Sequence, residues 1–515
     1  MTAPIDLRDV NFGKDTAEFD RDLARYFLAT ETYNRILAGK KSIIAGRKGS
    51  GKTALMNFFV ADATPTQAVI TLEASQATLL KIKQSIDRLG QDLADLDASF
   101  KHAWLFSAML ALAERVIARK FALTEDAQLV HKFAKEHLSY RNGDAISTVA
   151  NYVIGWFVHA KSISVGDIAV EREVPAIAAH ALVFDERTLL RLITSSAREL
   201  NRRGETVYLF FDKLDERWEA SRGNVALVQG LLLASRDLRA LKLDLNPVVL
   251  IRDDILRVAT EGFQHSDHFR METEWIQWNE DSLLSLLAKR IAHSLRAANY
   301  AGFDALPPKD LWELVFEPSI PFKRVKIPMA AWLIERTLAR PRDLVLFANL
   351  AIEQALSSGD THAPIAKERV RAVERRFSEQ KLDDLVAELS VEFPGAKIIF
   401  ERFRLRPHTF ATEELDVFLE DLVTDATLGL NWLPVDVADV KRWLYQIGFM
   451  CFSKIGGSLR GTRVIHSGIE RQPGEFMIAR KISVSPIFRS ALQMRDRKHR
   501  DAKADVDDDD DDDDD

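Results

Sequence analysis

Eight consecutive residues, Gly46 to Thr53, read GRKGSGKT and constrain the fold more tightly than anything else in the chain. They match G-x-x-x-x-G-K-[ST], the Walker A pattern. Its glycines let backbone N–H groups turn inward around phosphate oxygens. Lys52 supplies a point charge to the outer phosphates, and the Thr53 hydroxyl is a ligand for Mg2+. The N-terminus of the following helix adds partial positive charge. The candidate nucleotide-binding set is therefore Gly46, Arg47, Lys48, Gly49, Ser50, Gly51, Lys52 and Thr53. The flanks agree with the motif. Ser42 to Ala45 is a short apolar run bounded by Lys40-Lys41 and by glycine, which predicts a buried strand. Lys52 to about Val60 reads as a helix. A glycine-rich turn without nucleotide is the alternative, and the strand-loop-helix context weighs against it.

The second half of such a site is an apolar strand ending in an acid. Val207-Tyr208-Leu209-Phe210-Phe211-Asp212 has that form. Asp212 would hold magnesium through Thr53 or water, which makes Thr53 and Asp212 the candidate metal residues. A buried strand capped by a surface acid is the competing account. Many ATPases place a glutamate directly after this aspartate, but Lys213 stands there. Asp215 and Glu216 follow as candidates for the base, against an ordinary surface role. The strand Pro247 to Ile251 ends in Arg252-Asp253-Asp254. Strand C-termini face the ligand in a doubly wound sheet, so Arg252 is a candidate γ-phosphate sensor. A salt bridge to the adjacent aspartates would explain it equally well. Arg340-Pro341-Arg342 opens an amphipathic helix from Leu344, where arginine opposes the helix dipole and suggests an anionic partner. Pairing with Asp343 or Glu335 is the alternative.

The order of elements implies a parallel α/β core. Apolar spacing predicts a helix over Thr16 to Leu37, a strand at Ala68 to Leu72, and a mostly helical insertion over about 74–203. That insertion holds helix-period segments at Phe100 to Phe121 and Arg187 to Leu200, and an alternating Ser162 to Val174 that suggests a hairpin. The core resumes with the strand at Val207, a helix from about Asn224 to Leu241, and the strand at Pro247. Helices then dominate to about Leu389. From Phe393 to Met494 the expected order is helices followed by a hairpin, as in a winged helix. The expected division is a core over 1–290, a helical lid over 291–392, a winged-helix-like domain over 393–494, and a disordered tail over 495–515.

The combination GRKGSGKT, FFDKLDERW and a late RPRDL resembles a group of bacterial P-loop ATPases related to the KAP and STAND classes. More distantly it is similar to AAA+ initiators of the origin-recognition type. VVLIRDDI, followed by Trp275-Ile276-Gln277-Trp278 and the helix to Arg290-Ile291, also looks like this group. The resemblance covers about Ala17 to Met494. It implies ATP with Mg2+ as cofactor, strands inserted between the Walker A and Walker B strands, and a helical lid. It implies a switch that oligomerises or changes partner when ATP binds, with Arg342 matching the lid arginine that senses nucleotide. Many relatives look like parts of antiphage defence or DNA-handling operons, an association rather than a chemical argument. Lys213 departs from the usual acid and bears on the rate of hydrolysis.

Three readings stay open. One is an ATP-driven regulatory switch acting through a homo-oligomer or an effector partner. Another is an ATP-controlled DNA-binding protein acting through the winged helix. The third is a nucleotide-gated scaffold with negligible hydrolysis. Composition separates them poorly. The formal net charge of −7 is dominated by the aspartate run Asp507 to Asp515, and without it the chain is near neutral. That run could mimic nucleic acid or dock on a basic partner, though such runs are commonly solvated tails. The basic cluster Arg495 to Arg500 precedes it, and Lys397 to Pro407 (KIIFERFRLRP) is basic and aromatic; either nucleic-acid or protein contact would suit. His265-Ser266-Asp267-His268 lacks a second ligand pair at metal-binding spacing. No G-x-S-x-G elbow or Cys/His signature appears, so any toxic effector activity is expected in a partner. The segment MTAPIDLRDVNFGKD lacks the apolar core of a signal peptide. The most apolar stretches fall short of the roughly 18 residues a membrane helix needs. With Cys451 the sole cysteine, a cytoplasmic protein is expected.

Overall fold

The computed structural model describes residues 4–73, 96–118, 124–137, 185–214, 218, 220–263, 266–322, 325–390, 393–425, 436–455, 462–467 and 473–496. The chain forms two compact units, Gly13–Gln277 and Met1–Phe12 with Trp278–Asp515.

The first unit is built on a parallel sheet. In chain order its elements are α1 (Leu23–Tyr26), α2 (Glu31–Leu37), β1 (Ile43–Ala45), α3 (Lys52–Ala61), β2 (Gln67–Glu73), α4 (Leu96–Ile117), α5 (Glu125–His137) and α6 (Glu186–Arg202). Then follow β3 (Thr206–Asp212), α7 (Arg222–Ala240), β4 (Leu245–Ile251), α8 (Asp253–Thr260), α9 (Ser266–Glu272) and β5 (Thr273–Trp275). The strand order is β2-β3-β4-β1-β5, with every pairing parallel. The α/β class read from the sequence therefore holds, and β4 lies between the Walker A strand β1 and the Asp212 strand β3.

Period-2 alternation divides the strand side chains between two layers. Tyr208 and Phe210 of β3 join Ile44, Val248 and Leu250 against Leu55, Met56 and Phe59 of α3. Phe59 sits 4.7 Å from the Tyr208 ring and 5.1 Å from Phe210. Val207, Leu209 and Phe211 turn to the other face, where α4, α6 and α7 cover the sheet. Trp104 of α4 meets Phe211 edge-on at 5.6 Å, and its indole N–H donates to the Leu227 carbonyl at 3.1 Å. The contact between α4 and α7 is very close at Gly230. A Cβ there would lie 2.5 Å from Phe100 Cβ and 2.6 Å from the Lys101 nitrogen.

In this unit two expectations change. Thr16 to Leu37 is not one helix; it is a 3-10 turn at Ala17–Phe19 followed by α1 and α2. Asp20, Phe27 and Thr30 have extended ψ values of 92°, 135° and 170°, each ending or preceding a piece. Phe27 stacks on Phe58 at 4.3 Å, so the apolar spacing is satisfied by separate packing. The short strand β5 also lies inside a region read as helical. The hairpin expected at Ser162 to Val174 falls outside the described residues.

The second unit begins with α10 (Glu280–Ala297), α11 (Pro308–Glu313), the hairpin β6 (Ser319–Phe322) with β7 (Val325–Pro328), α12 (Met329–Glu335), α13 (Pro341–Ser357) and α14 (Lys367–Leu389). Asn279 and Ser282 form a reciprocal capping box that starts α10. The N-terminal segment belongs here: Asn11 N–H donates to Ser294 Oγ at 3.0 Å, and Leu7 N–H to the Thr361 carbonyl at 2.9 Å. Phe347 of α13 packs between Trp332 and Phe377. The hairpin is a second departure from the helical expectation for this stretch. The remainder runs α15 (Ala396–Glu401), β8 (Thr409–Ala411), α16 (Thr412–Thr424), α17 (Val437–Gln446), β9 (Met450–Ile455), β10 (Thr462–Ile465), α18 (Gly474–Met477), β11 (Lys481–Val484) and α19 (Pro486–Arg489). Its antiparallel sheet has the order β10-β9-β11-β8. The strand expected at Glu475 to Arg480 is instead the turn of α18, and the strand starts at Lys481. No helix among the described residues is long and apolar enough to cross a membrane.

Candidate nucleotide site

The loop between β1 and α3 leaves the sheet between two neighbours. Ala45 is in register with Ile251 of β4, and Gly46 N–H donates to the Ile251 carbonyl at 3.1 Å. The loop then turns back, with Ser50 N–H donating to the Arg47 carbonyl at 3.1 Å. Two glycines are required by conformation: Gly49 has φ +78° and Gly51 has φ +97°. Those values lie in the left-handed region that side chains disfavour. Gly46 is required by space, since a Cβ there would lie 2.4 Å from Ser50 Oγ. Gly51 immediately precedes α3, so the helix begins inside the loop and aims its first N–H groups there.

Lys52 is buried and folds its ammonium onto the loop, donating to the carbonyls of Gly46 at 2.9 Å and Arg47 at 3.2 Å. Thr53 Oγ1 donates to Asp212 Oδ2 at 3.0 Å, joining the loop helix to the end of β3. Asp212 is itself buried. A hydroxyl and a buried carboxylate at that separation suit a hard cation with oxygen ligands, and the glycine loop and Lys52 suit the phosphates it would bridge. The residues therefore fit Mg2+ with a nucleotide.

Arg252 follows the last residue of β4 and forms a two-point pair with Asp254, 3.0 Å from Nε to Oδ1 and 2.5 Å from Nη2 to Oδ2. That is the salt bridge weighed against the sensor role. Arg342 is the second residue of α13 and belongs to the other unit. It follows a turn in which Leu338 and Ala339 both have positive φ, +50° and +52°. Beside it, buried Asp343 accepts from Lys381 Nζ at 3.0 Å. Asp215, Glu216 and His265 lie outside the described residues. Among the described residues, no group of three or more His, Cys, Asp or Glu side chains is arranged to hold a metal ion.

One group escaped notice in the sequence. Glu73 ends β2 in register with Asp212, and its Oε2 is 2.5 Å from Lys213 Nζ. Hydrogen bonding to Glu73 holds the Lys213 ammonium above the ordinary lysine range, against the opposing effect of partial burial. The only available signal was an acid closing the alternating run QAVITLE.

The basic-aromatic stretch near α15 is internally engaged. Arg402 pairs with Asp425 at 3.2 Å, Arg404 with Glu401 at 2.5 Å, and the Arg406 guanidinium lies 4.4 Å from the centre of the Phe418 ring.

A family model described as FunZ-associated C-terminal helical domain matches residues 281–386. An Escherichia coli (strain K12) protein, "Putative transposon gamma-delta 80.3 kDa protein", is 22% identical over 418 residues, covering 78% of this chain and 55% of the relative. The chain thus spans about half the length of that curated relative. Among solved structures, the Aeropyrum pernix ORC1 protein in complex with DNA is similar with a TM-score of 0.35 and 12% identity, over 90% of this chain and 98% of that one. Cdc6p from Pyrobaculum aerophilum gives a TM-score of 0.30 and 11% identity, over 92% and 97%. Scores this low leave the fold and the site standing on this chain's own geometry. That geometry is of an α/β protein whose parallel sheet carries a P-loop, with the acid that ends β3, one strand beyond β4, accepting from the residue after the loop lysine.

Proposed function

We propose that this chain binds ATP with Mg2+ and hydrolyses it as a regulatory switch. The contact of Thr53 with Asp212 carries the reading, because it brings the two expected metal residues together from separate elements. Thr53 and Asp212 would hold Mg2+, which when bound would offset the charge of the outer phosphates. Lys52 binds the same phosphates, and the loop N–H groups orient them. Asp215 and Glu216 are the candidate bases that follow Asp212 in the chain. Arg252 and Arg342 are candidate sensors, the first once it leaves Asp254. Switching would act through a homo-oligomer, with a neighbouring subunit's arginine at the site, or through an effector protein. A place in antiphage defence rests on the sequence resemblance alone.

A second reading is ATP-controlled DNA binding. The order α15-β8-α16-α17-β9-β10 supports a winged-helix-like region over 393–494, and the relative's transposon name fits DNA handling. The internal pairing of Arg402, Arg404 and Arg406 favours protein contact there instead. Binding that weakens steeply with salt would support the DNA reading. The third reading, a scaffold that scarcely hydrolyses, is supported by Lys213 in the usual acid's place.

Steady-state phosphate release from ATP tests the main reading. Wild type should turn over, and Lys52→Ala should lose at least about tenfold in kcat/KM through its missing phosphate contact. Equal turnover by the two proteins would remove this site from the reaction.

A further inference from the structure

β2 and β3 run parallel and in register, so Glu73 and Asp212 stand side by side at the C-terminal edge of the sheet. The P-loop leaves β1 at that same edge, because β1, β4, β3 and β2 all run in one direction. Adjacent strands are about 4.8 Å apart, so the Glu73 carboxylate originates one strand from the acid that accepts the Thr53 hydroxyl. Lys213 comes next after Asp212 and adopts φ +61°. That backbone state is uncommon for lysine. It accompanies a side-chain placement in which the ammonium is on Glu73 rather than in solvent. The bond uses Oε2, and Glu73 is 40% exposed, so water reaches the carboxylate. A carboxylate offers about four acceptor positions in all, and one lysine contact leaves room for a water.

We propose that Glu73 is the carboxylate that orients the water attacking ATP, and that Lys213 is a positioning residue that fixes it. The proposal rests on the ATPase reading and replaces Asp215 or Glu216 as base. An acid commonly follows the Walker B aspartate; here a cation stands at that place and the acid is on the adjacent strand. In the step, the water oxygen forms a bond to the γ-phosphorus while the bond from that phosphorus to the β–γ bridging oxygen breaks. The leaving ADP oxygen keeps the bonding pair. The water's proton passes to the Glu73 carboxylate and then to solvent.

The test measures Mg2+–ATP affinity, melting temperature, KM and kcat on the full chain for wild type, Glu73→Gln, Glu216→Gln, Lys213→Ala and Lys213→Arg. Glu73→Gln should keep affinity and melting temperature near wild type and lose about 10²-fold or more in kcat, the scale of a lost general base. Lys213→Ala should lose about tenfold in kcat with KM little changed, and Lys213→Arg should recover most of it. Glu73→Gln turning over within about threefold of wild type overturns the proposal, whatever Glu216→Gln does. Wild type that binds Mg2+–ATP without turnover also overturns it. A wild type that binds no ATP removes the ATPase reading beneath it, which is a separate result.

Discussion

Thr53 and Asp212 meet at 3.0 Å, and this contact has a consequence for the metal. Both are oxygen ligands of the kind Mg2+ takes, and the ion keeps several waters besides. Thr53→Ala removes one ligand and leaves the glycine loop and Lys52 in place. Its affinity for ATP in the presence of a chelator should stay near wild type. Its Mg2+-stimulated turnover should fall by about tenfold or more, because Asp212 would be left to hold the ion without the Thr53 hydroxyl. A magnesium titration of turnover checks this; an unchanged profile would separate Thr53 from the metal. At the same scale, Lys381 and Asp343 form a buried pair with exposures of 9% and 4%. Lys381→Ala leaves a buried carboxylate with a lost partner and should cost about 3–5 kcal/mol, read by denaturant unfolding. A loss near zero would mean that Asp343 is adequately held by its other neighbours.

At the element scale, the helix pair α4 and α7 leaves no room for added volume at Gly230. Gly230→Ala would set a Cβ 2.6 Å from the Lys101 backbone nitrogen, and backbone in a helix cannot step aside easily. The expected cost is about 1–3 kcal/mol, visible as a lower unfolding midpoint. A neutral result would show that the two helices separate freely. Elements also mark how far the sequence could be read. The strands β1, β3 and β4 were legible because a strand buried on both faces is a short, continuous apolar run. The P-loop was legible because its glycine spacing is set by backbone conformation. The break in Thr16 to Leu37 was not, since apolar spacing looks alike whether one helix or two short ones bury it. β5 spans three residues, too few to show a period. Glu73 escaped because its role comes from register with Asp212, and register between β2 and β3 depends on pairing across more than a hundred residues.

For the whole molecule, the compact units place Lys52, Thr53, Asp212, Glu73 and Arg252 together in Gly13–Gln277 and Arg342 in the other. The sequence located each of these except Glu73, but it could not assign Arg252 between a sensor and a salt bridge; the pair with Asp254 provides the second partner directly. If Arg342 senses nucleotide, Arg342→Ala should bind Mg2+–ATP with little change yet lose the nucleotide-dependent change in assembly or partner binding that the switch requires. Sedimentation with and without ATP measures that. An assembly state that responds to ATP equally in both proteins would assign the sensing elsewhere.

Everything proposed for this chain depends on the loop from Gly46 to Thr53 holding Mg2+–ATP. Calorimetric titration of the full chain with ATP and Mg2+, wild type beside Lys52→Ala, tests it most directly. Wild type should show saturable one-site binding that weakens at least about tenfold in the variant. Equal affinity in the two proteins, or no binding by a folded wild type, would contradict it.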